Sequence, residues 1–473
     1  MPPTRSPEPG GPRASVPGGA GRLDRPGGIG RAPVNLGEAL AWLDRHQNLE
    51  RILADRRLAA PDPARMRQFM DLLGNPQATL PVLHVTGTNG KTSTSRALTR
   101  ALMAKGLSVG TFTSPHLERI NERICANGEP MADHDLAEVL SELATLECLV
   151  DEGRRPTWFE LLAAAAFRHF ADRPVDVAVV EVGMGGRWDA TNVARGAVSI
   201  VTNVGLDHTE LLGPTREHIA REKAGIVKPG STLVLGETDP ALYEIFAAEG
   251  PGAIWLAGRD FAVESNAMAV GGRLLDLRTP GASYEGVFLA VHGDYQAENF
   301  ACALVAAEAF FGRPLEPELV AEAAASVRSP GRMEVVSQDP LVVLDGAKNV
   351  PGALRSARAV AEEFGAQRGR VMVVGMLGGK DPREMLEALG AGGARLVVTC
   401  PPPSPRAQPA EEVAEAARAM GVRAVPTGSV HEALELALEE VGPGELVLVT
   451  GSLYVVGAAR TLLAQSHRPG TRR

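Results

Sequence analysis

Short runs of apolar residues recur along this chain, and most are continuous rather than alternating: Leu80–Val85, Val175–Val182, Val198–Val204, Leu233–Leu235, Leu341–Leu344, Arg370–Gly375, Leu396–Thr399 and Leu446–Thr450. Continuous runs suit strands whose sheet is covered on both faces. Segments of helical periodicity lie between many of them, at Ser93–Lys105, Asp135–Val150, Phe159–Phe170, Ala297–Phe310 and Glu411–Met420. Such alternation implies parallel sheets with right-handed crossovers, so the fold class expected is α/β. Aromatic residues make up 4% of the 473 positions, so the core must be built from Ala, Val and Leu. Thr279–Val291 alternates and carries glycine, which reads as antiparallel sheet.

The first 33 residues are dominated by Pro and Gly and read as a disordered tail; they lack the apolar stretch of a signal peptide. Helical spacing begins at Leu36, Ala39, Leu40 and Leu43, and Ile52 and Leu53 continue the apolar content. Turn residues at Arg328-Ser329-Pro330-Gly331-Arg332 mark a boundary. The expected organisation is a tail over 1–34, a large domain over 35–329, a smaller one over 330–466 and a tail over 467–473, with the cleft between the domains as the default site. Lys and Arg total 48 against 57 for Asp and Glu, a formal charge of −9, which gives no reason to bind nucleic acid or an anionic membrane. No apolar run approaches the ~20 residues of a membrane span. Cys125, Cys148, Cys302 and Cys400 lie far apart and read as buried thiols in a reducing compartment. A soluble cytoplasmic protein is expected.

The strongest local signal is Val85-Thr86-Gly87-Thr88-Asn89-Gly90-Lys91-Thr92-Ser93, between a strand and a helix. There Gly87 and Gly90 would let backbone N–H groups approach phosphate oxygens, Lys91 adds a point charge and Thr92 a hydroxyl for Mg²⁺. Val85 stands where the longer phosphate-loop pattern has glycine, so the match is to the shorter GTNGKT. Glu181 falls at a strand's C-terminal end, where open α/β sheets bind ligands; it reads either as a Mg²⁺ ligand or as a solvated strand-end acid. Asp207 and His208 repeat that placement, while Lys223 alone reads as an ordinary helix lysine near a terminus at Gly225.

Taken together, GTNGKTS, SPHL…RINERI, EVGMGGRWDATN, NVGLDHTELLG and REKAGIVKPG resemble the folylpolyglutamate synthase/dihydrofolate synthase branch of the Mur ligase superfamily. DYQAEN, PGR, LDGA and TGSLY follow in the same order, so the resemblance covers about residues 35–465. It implies a Mur-ligase-like fold: a large N-terminal P-loop ATPase domain and a smaller C-terminal Rossmann-like α/β ligase domain. The implied activity is ATP-dependent addition of L-glutamate to dihydropteroate or to the γ-carboxylate of reduced folates through an acyl phosphate. Small-molecule substrates and a monomer are expected.

The resemblance also implies roles. Asn89, Gly90, Lys91 and Thr92 would cradle ATP, with Asn299, Arg332, Asp345 and Lys348 completing the nucleotide site. Ser114, Glu181, His208, Lys223 and Thr92 would hold one or two Mg²⁺ ions, with K⁺ a further candidate; Lys223 matches a lysine that is carbamylated in the family. Thr157, Trp158, Phe159, Glu160, Trp188, Asp189 and Ala190 match the pterin surface, with core packing the competing reading for Phe159. Lys91, His208, Lys223 and Arg332 are the catalytic candidates, and His208 or Asp189 the candidate base for the amine. Lys348 stands where the family commonly has His, which predicts altered ATP affinity with activity retained. The competing classes are a UDP-muramyl amino acid ligase, disfavoured by the roughly fifty structured residues before Gly87, and a non-catalytic nucleotide-binding paralogue, supported only by Lys348.

Overall fold

Strand β1 (Val82–Thr86) is central to a sheet that also holds β2 (Val109–Phe112), β3 (Ile124–Ala126), β4 (Glu129–Pro130), β5 (Val177–Glu181), β6 (Gly196–Val201), β7 (Thr232–Leu235) and β8 (Ala253–Leu256). Their order is β4-β3-β2-β5-β1-β6-β7-β8, parallel except for β3 and β4 at one edge. The structure is a computed structural model and describes residues 33, 35–48, 50 and 62–466. The expected terminal tails and the Ile52–Leu53 segment lie outside the described residues.

The continuity of the apolar runs has a direct cause. Leu83 and Val85 of β1, with Val177 and Val179 of β5, face one buried cluster, while Val82, Ala178 and Val180 face another. Helix Lys91–Ala104 packs on the first face together with helix Tyr295–Phe311, and helix Trp158–Asp172 on the second. Every residue of β1 and β5 is therefore buried. The run Val198–Val204 pairs only as far as Val201; Thr202–Val204 leave the sheet for the site described below.

An antiparallel sheet follows, β9 (Ala262–Ala269), β10 (Gly272–Arg278) and β11 (Ser283–Leu289), which accounts for the alternation after Thr279. The last sheet contains β12 (Glu334–Gln338), β13 (Leu341–Leu344), β14 (Gly369–Val374), β15 (Leu396–Thr399), β16 (Ala424–Pro426) and β17 (Glu445–Thr450), ordered β12-β13-β17-β14-β15-β16. It too is covered twice, with Val371 and Val373 facing one cluster and Met372 and Val374 the other. Cys302 and Cys400 are buried as expected; Cys148 is exposed, because it caps the solvent end of helix Asp133–Glu147. Among the described residues no helix is long and apolar enough to cross a membrane.

Helix Val350–Glu363 bridges the two large sheets. At its start Asn349 accepts from Gly352 N–H and donates to Asn89 (3.2 Å) and Asp207 (2.9 Å). At its end Glu363 accepts from Arg273 (2.9 Å), His292 (2.6 Å) and Gly293 N–H (2.7 Å), while Arg273 also meets Glu362. Arg273 is 1% exposed, so removing it strands a buried acid. Arg273→Met is expected to destabilise the chain by about 3 kcal/mol, read from the midpoint of urea unfolding; Glu363→Gln, whose amide oxygen can still accept from Arg273 and Gly293 N–H, is expected to cost less.

His84 sits in β1 with no exposure, Nε2 2.8 Å from Thr191 Oγ1, and burial pushes its pKa down to about 3. The unfolded chain takes up this proton near pH 6.5, so stability is full above that value and falls as the pH drops toward 3. The contribution lost is of order 4 kcal/mol across that window. His84→Gln should flatten this part of the pH–stability curve measured by urea titration.

Candidate active site

The ends of β1, β5 and β6 meet, and the turn after β1 is shaped by its neighbours. Gly90 has φ +84°, and a Cβ there would lie 2.2 Å from Asn299 Oδ1; at Gly87, φ +154°, it would lie 1.8 Å from Thr202 Oγ1. Only glycine fits either place. The Asn89 N–H donates to Asn203 Oδ1 (3.0 Å), and its carbonyl accepts from Thr202 Oγ1 (2.6 Å) and Asn203 Nδ2 (3.0 Å). Thr88 and Gly205 are tied through the Thr88 hydroxyl. The loop is thus fixed by the exit of β6 before any ligand arrives. Thr202, Asn203 and Asn349 were not singled out in the sequence; their one signal is a place inside or beside the strand-end motifs NVGLDH and DGAKN.

Lys91 curls back so that Nζ donates to Gly87 O (3.0 Å), with Thr88 O at 3.4 Å. Burial lowers its pKa, opposed by the charge of Glu181. Glu181 is 1% exposed and accepts from Thr92 Oγ1 (3.0 Å to each oxygen) and from Ser114 N–H (3.2 Å). Burial raises its carboxyl, and Lys91 is the largest opposing influence. Thr92, Ser114 and Glu181 therefore gather at one point, at the first turn of the helix that follows the loop. A carboxylate flanked by hydroxyl-bearing residues suits Mg²⁺, which binds through one or two carboxylates and keeps water and phosphate ligands. Among the described residues no group of three or more His, Cys, Asp and Glu forms a metal cage.

His208 and Lys223 line the adjoining wall with Lys91, Gly183 and Lys348. His208 is held at φ +52°, a left-handed conformation that costs a non-glycine residue of order 1 kcal/mol. Burial first, then the charge of Lys348, pushes its pKa down to about 4, so the ring is neutral near pH 7. Burial would raise the Asp207 carboxyl, but Lys348 and His208 outweigh it and hold it below the usual carboxylate range. Lys223 is 3% exposed; burial, then Lys91, lowers its pKa well below the ordinary value.

From the other sheet come Arg332, Asp345 and Lys348. Asp345 accepts from Met333 N–H (3.0 Å) and Ala347 N–H (3.1 Å); burial raises its carboxyl, and the Arg332 charge opposes this. The charge of Arg332 also favours the Glu181 carboxylate, more weakly than Lys91 does. Asn299 presents Oδ1 to Gly90 and donates Nδ2 to Gln296.

The residues matched to a pterin surface divide. Thr157 and Glu160 form a capping box at the start of helix Trp158–Asp172, and Glu160 also takes two hydrogen bonds from Arg65. Trp158 is 2% exposed, under the Arg123 guanidinium at 4.7 Å from its ring centroid, with Nε1 donating to Asp44; its ring offers no open face for stacking. Asp189 accepts from Thr191 N–H, Thr191 Oγ1 and Met184 N–H, and it is buried with Ala190. Phe159, against Gly183 and Phe112, and Trp188, against Gly185, are the half-buried rings of the set.

A phosphate loop at the switch point of one parallel sheet, closed by cations and an acid from a second, defines an ATP-dependent ligase of the Mur type. The Mur ligase middle domain family matches residues 85–307, and the family "Mur ligase, glutamate ligase domain" matches residues 331–453. The chain is 38% identical to the dihydrofolate synthase/folylpolyglutamate synthase of Mycobacterium tuberculosis, over 86% of this chain and 90% of that protein. It is 31% identical to the Escherichia coli protein of the same name, over 90% and 96%. The structure of M. tuberculosis folylpolyglutamate synthase complexed with ADP and AMPPCP superposes with a TM-score of 0.84 at 36% identity, covering 92% of this chain and 99% of that one. The chain belongs to the dihydrofolate synthase/folylpolyglutamate synthase family.

Proposed function

We propose that the chain joins L-glutamate to dihydropteroate, to reduced folates, or to both, with cleavage of ATP to ADP and phosphate. The observation that carries this reading is the gathering of Lys91, Thr92, Ser114 and Glu181 at the end of β1, with Asn349 of the second lobe bonded to Asn89 of the same loop. A carboxylate is a poor electrophile, since its leaving group would be oxide; transfer of the γ-phosphoryl group makes an acyl phosphate that an amine can attack. The work of the protein is to position two anions and stabilise the charge on the transferring group. Lys91 and Arg332 supply fixed positive charge from opposite sides. Thr92, Ser114 and Glu181 would hold Mg²⁺, and His208 and Lys223 would serve a second ion; the metal, when bound, neutralises phosphate charge. K⁺ is a further candidate ion. Of the two base candidates, the Asp189 carboxylate is already occupied by three donors, and His208, neutral and half-exposed, serves as base only in a state where it does not hold the second ion. Phe159 and Trp188 flank the pterin surface. We further read 35–329 and 330–466 as the two domains, the chain as a cytoplasmic monomer, and small molecules as its partners.

The test is ADP release with ATP, L-glutamate and either dihydropteroate or tetrahydrofolate monoglutamate offered separately, with product masses determined. Release that depends on L-glutamate and one of these acids supports the reading, and release with neither overturns it. Lys348 lowers the pKa values of His208, Lys91 and Lys223 through its charge. Lys348→Ala is therefore expected to weaken ADP binding about tenfold in calorimetric titration while turnover persists; unchanged affinity and rate would make Lys348 a bystander.

A further inference from the structure

A cavity of about 270 Å³ lies beside the phosphoryl-transfer point and has no part in the description above. Its walls come from both lobes: Thr113, Leu117 and Glu122 from the segment after β2, Arg328 from the connection, and Arg460 from the last helix. Arg96 and Arg100 enter it from helix Lys91–Ala104. Arg96 lies one helical turn beyond Thr92, and Thr113 directly precedes Ser114, whose N–H meets Glu181.

The charge on its walls is unbalanced. Glu118 is already bound by Arg460 and by Thr461 Oγ1 (2.7 Å). Glu122 accepts from the N–H groups of Leu117 (2.9 Å), Glu118 (3.0 Å) and Arg119 (2.8 Å). Among the described residues, Arg96 and Arg100 have neither an ion pair nor a hydrogen bond from the side chain. Two half-buried guanidiniums on one cavity wall have donors free for an anion, and guanidinium matches carboxylate in a bidentate fork. Residues four apart on a helix have Cβ atoms about 5–6 Å apart, a spacing that suits two carboxylates on one short chain. At about 270 Å³ the cavity lies at the lower edge of the roughly 300–1,000 Å³ that takes drug-sized ligands, a size that suits a short acid better than a pterin with its benzoyl group.

Resting on the function proposed above, we propose that this cavity is a carboxylate subsite in which Arg96 and Arg100 bind glutamyl groups, brought either as free L-glutamate or on the γ-glutamyl tail of the folate substrate. The two sources share one chemistry and differ in which kinetic constant senses the site.

The experiment uses the full chain with Arg96→Gln, Arg100→Gln and the pair. Loss of a charge-assisted hydrogen bond should raise KM by about tenfold or more. A rise for L-glutamate alone assigns the cavity to the incoming amino acid, and a rise for folate triglutamate with little change for the monoglutamate assigns it to the tail. The KM for ATP should stay within about twofold. Unchanged KM values for glutamate and both folates overturn the proposal. Calorimetric titration of L-glutamate and of tri-γ-L-glutamate into wild type and Arg100→Gln keeps the test independent of turnover. Binding of either that weakens in the variant supports the subsite even if ADP release fails; binding of neither, or equal binding of inorganic phosphate, overturns it while leaving the function to the ADP assay.

Discussion

Lys91→Ala should lower the rate of ADP formation by about a thousandfold while the protein stays folded. The Nζ of Lys91 donates to the loop's own carbonyls and feels the charge of Glu181, and on the function proposed above it would offset the negative charge that develops on the γ-phosphoryl group. Removing a fixed donor of this kind commonly costs two to three orders of magnitude. Stability should change little or rise, because burial already disfavours the ammonium and the loop keeps its anchors on Thr202 and Asn203. Urea unfolding and ADP release, measured on the same preparation, separate these effects. A variant that unfolds several kcal/mol more easily would mean that Lys91 holds the loop rather than the nucleotide.

How much of this was legible in the sequence follows from where burial is visible. Strands β1, β5, β14, β15 and β17 stand out because both faces are covered and most of their positions are apolar. The strand β9, Ala262–Ala269, escaped notice because it is largely solvated and reads as a polar segment. The loop, the strand-end Glu181 and the helix bearing Lys223 could be placed from local pattern. The anchors of that loop could not: Asn203 meets Asn89 across 114 residues and Asn349 meets it across 260, and no periodicity encodes such pairs. Trp158 and Phe159 show the same limit at adjacent positions. Both are aromatic at the start of one helix, yet only the fold decides that Arg123 covers the first and Gly183 lies against the second. Arg96 and Arg100 read as ordinary helix residues until the last helix and the inter-lobe connection are placed around them.

Lys223 carries the second large effect, and its sign follows from the company it keeps. Its amine is buried, with the cations Lys91 and Lys348 and the acids Asp207 and Asp189 acting on it, and the net effect disfavours the ammonium form. The neutral form of an amine can add to CO₂: the nitrogen lone pair forms the N–C bond, one C=O π pair moves to oxygen, and one N–H proton of the resulting adduct leaves to solvent. The product carbamate is an anion, which turns repulsion from Lys91 and Lys348 into attraction. Lys223→Ala should therefore reduce ADP formation by about a hundredfold or more, and Lys223→Arg should be as poor, since guanidinium keeps the charge and cannot form the carbamate. The independent readout is ¹³C NMR in ¹³C-bicarbonate, where the wild type should show a carbamate carbon that both variants lack. A fully active Lys223→Arg enzyme, or a wild type without that signal, would leave Lys223 as a buried lysine that lines the same wall as His208.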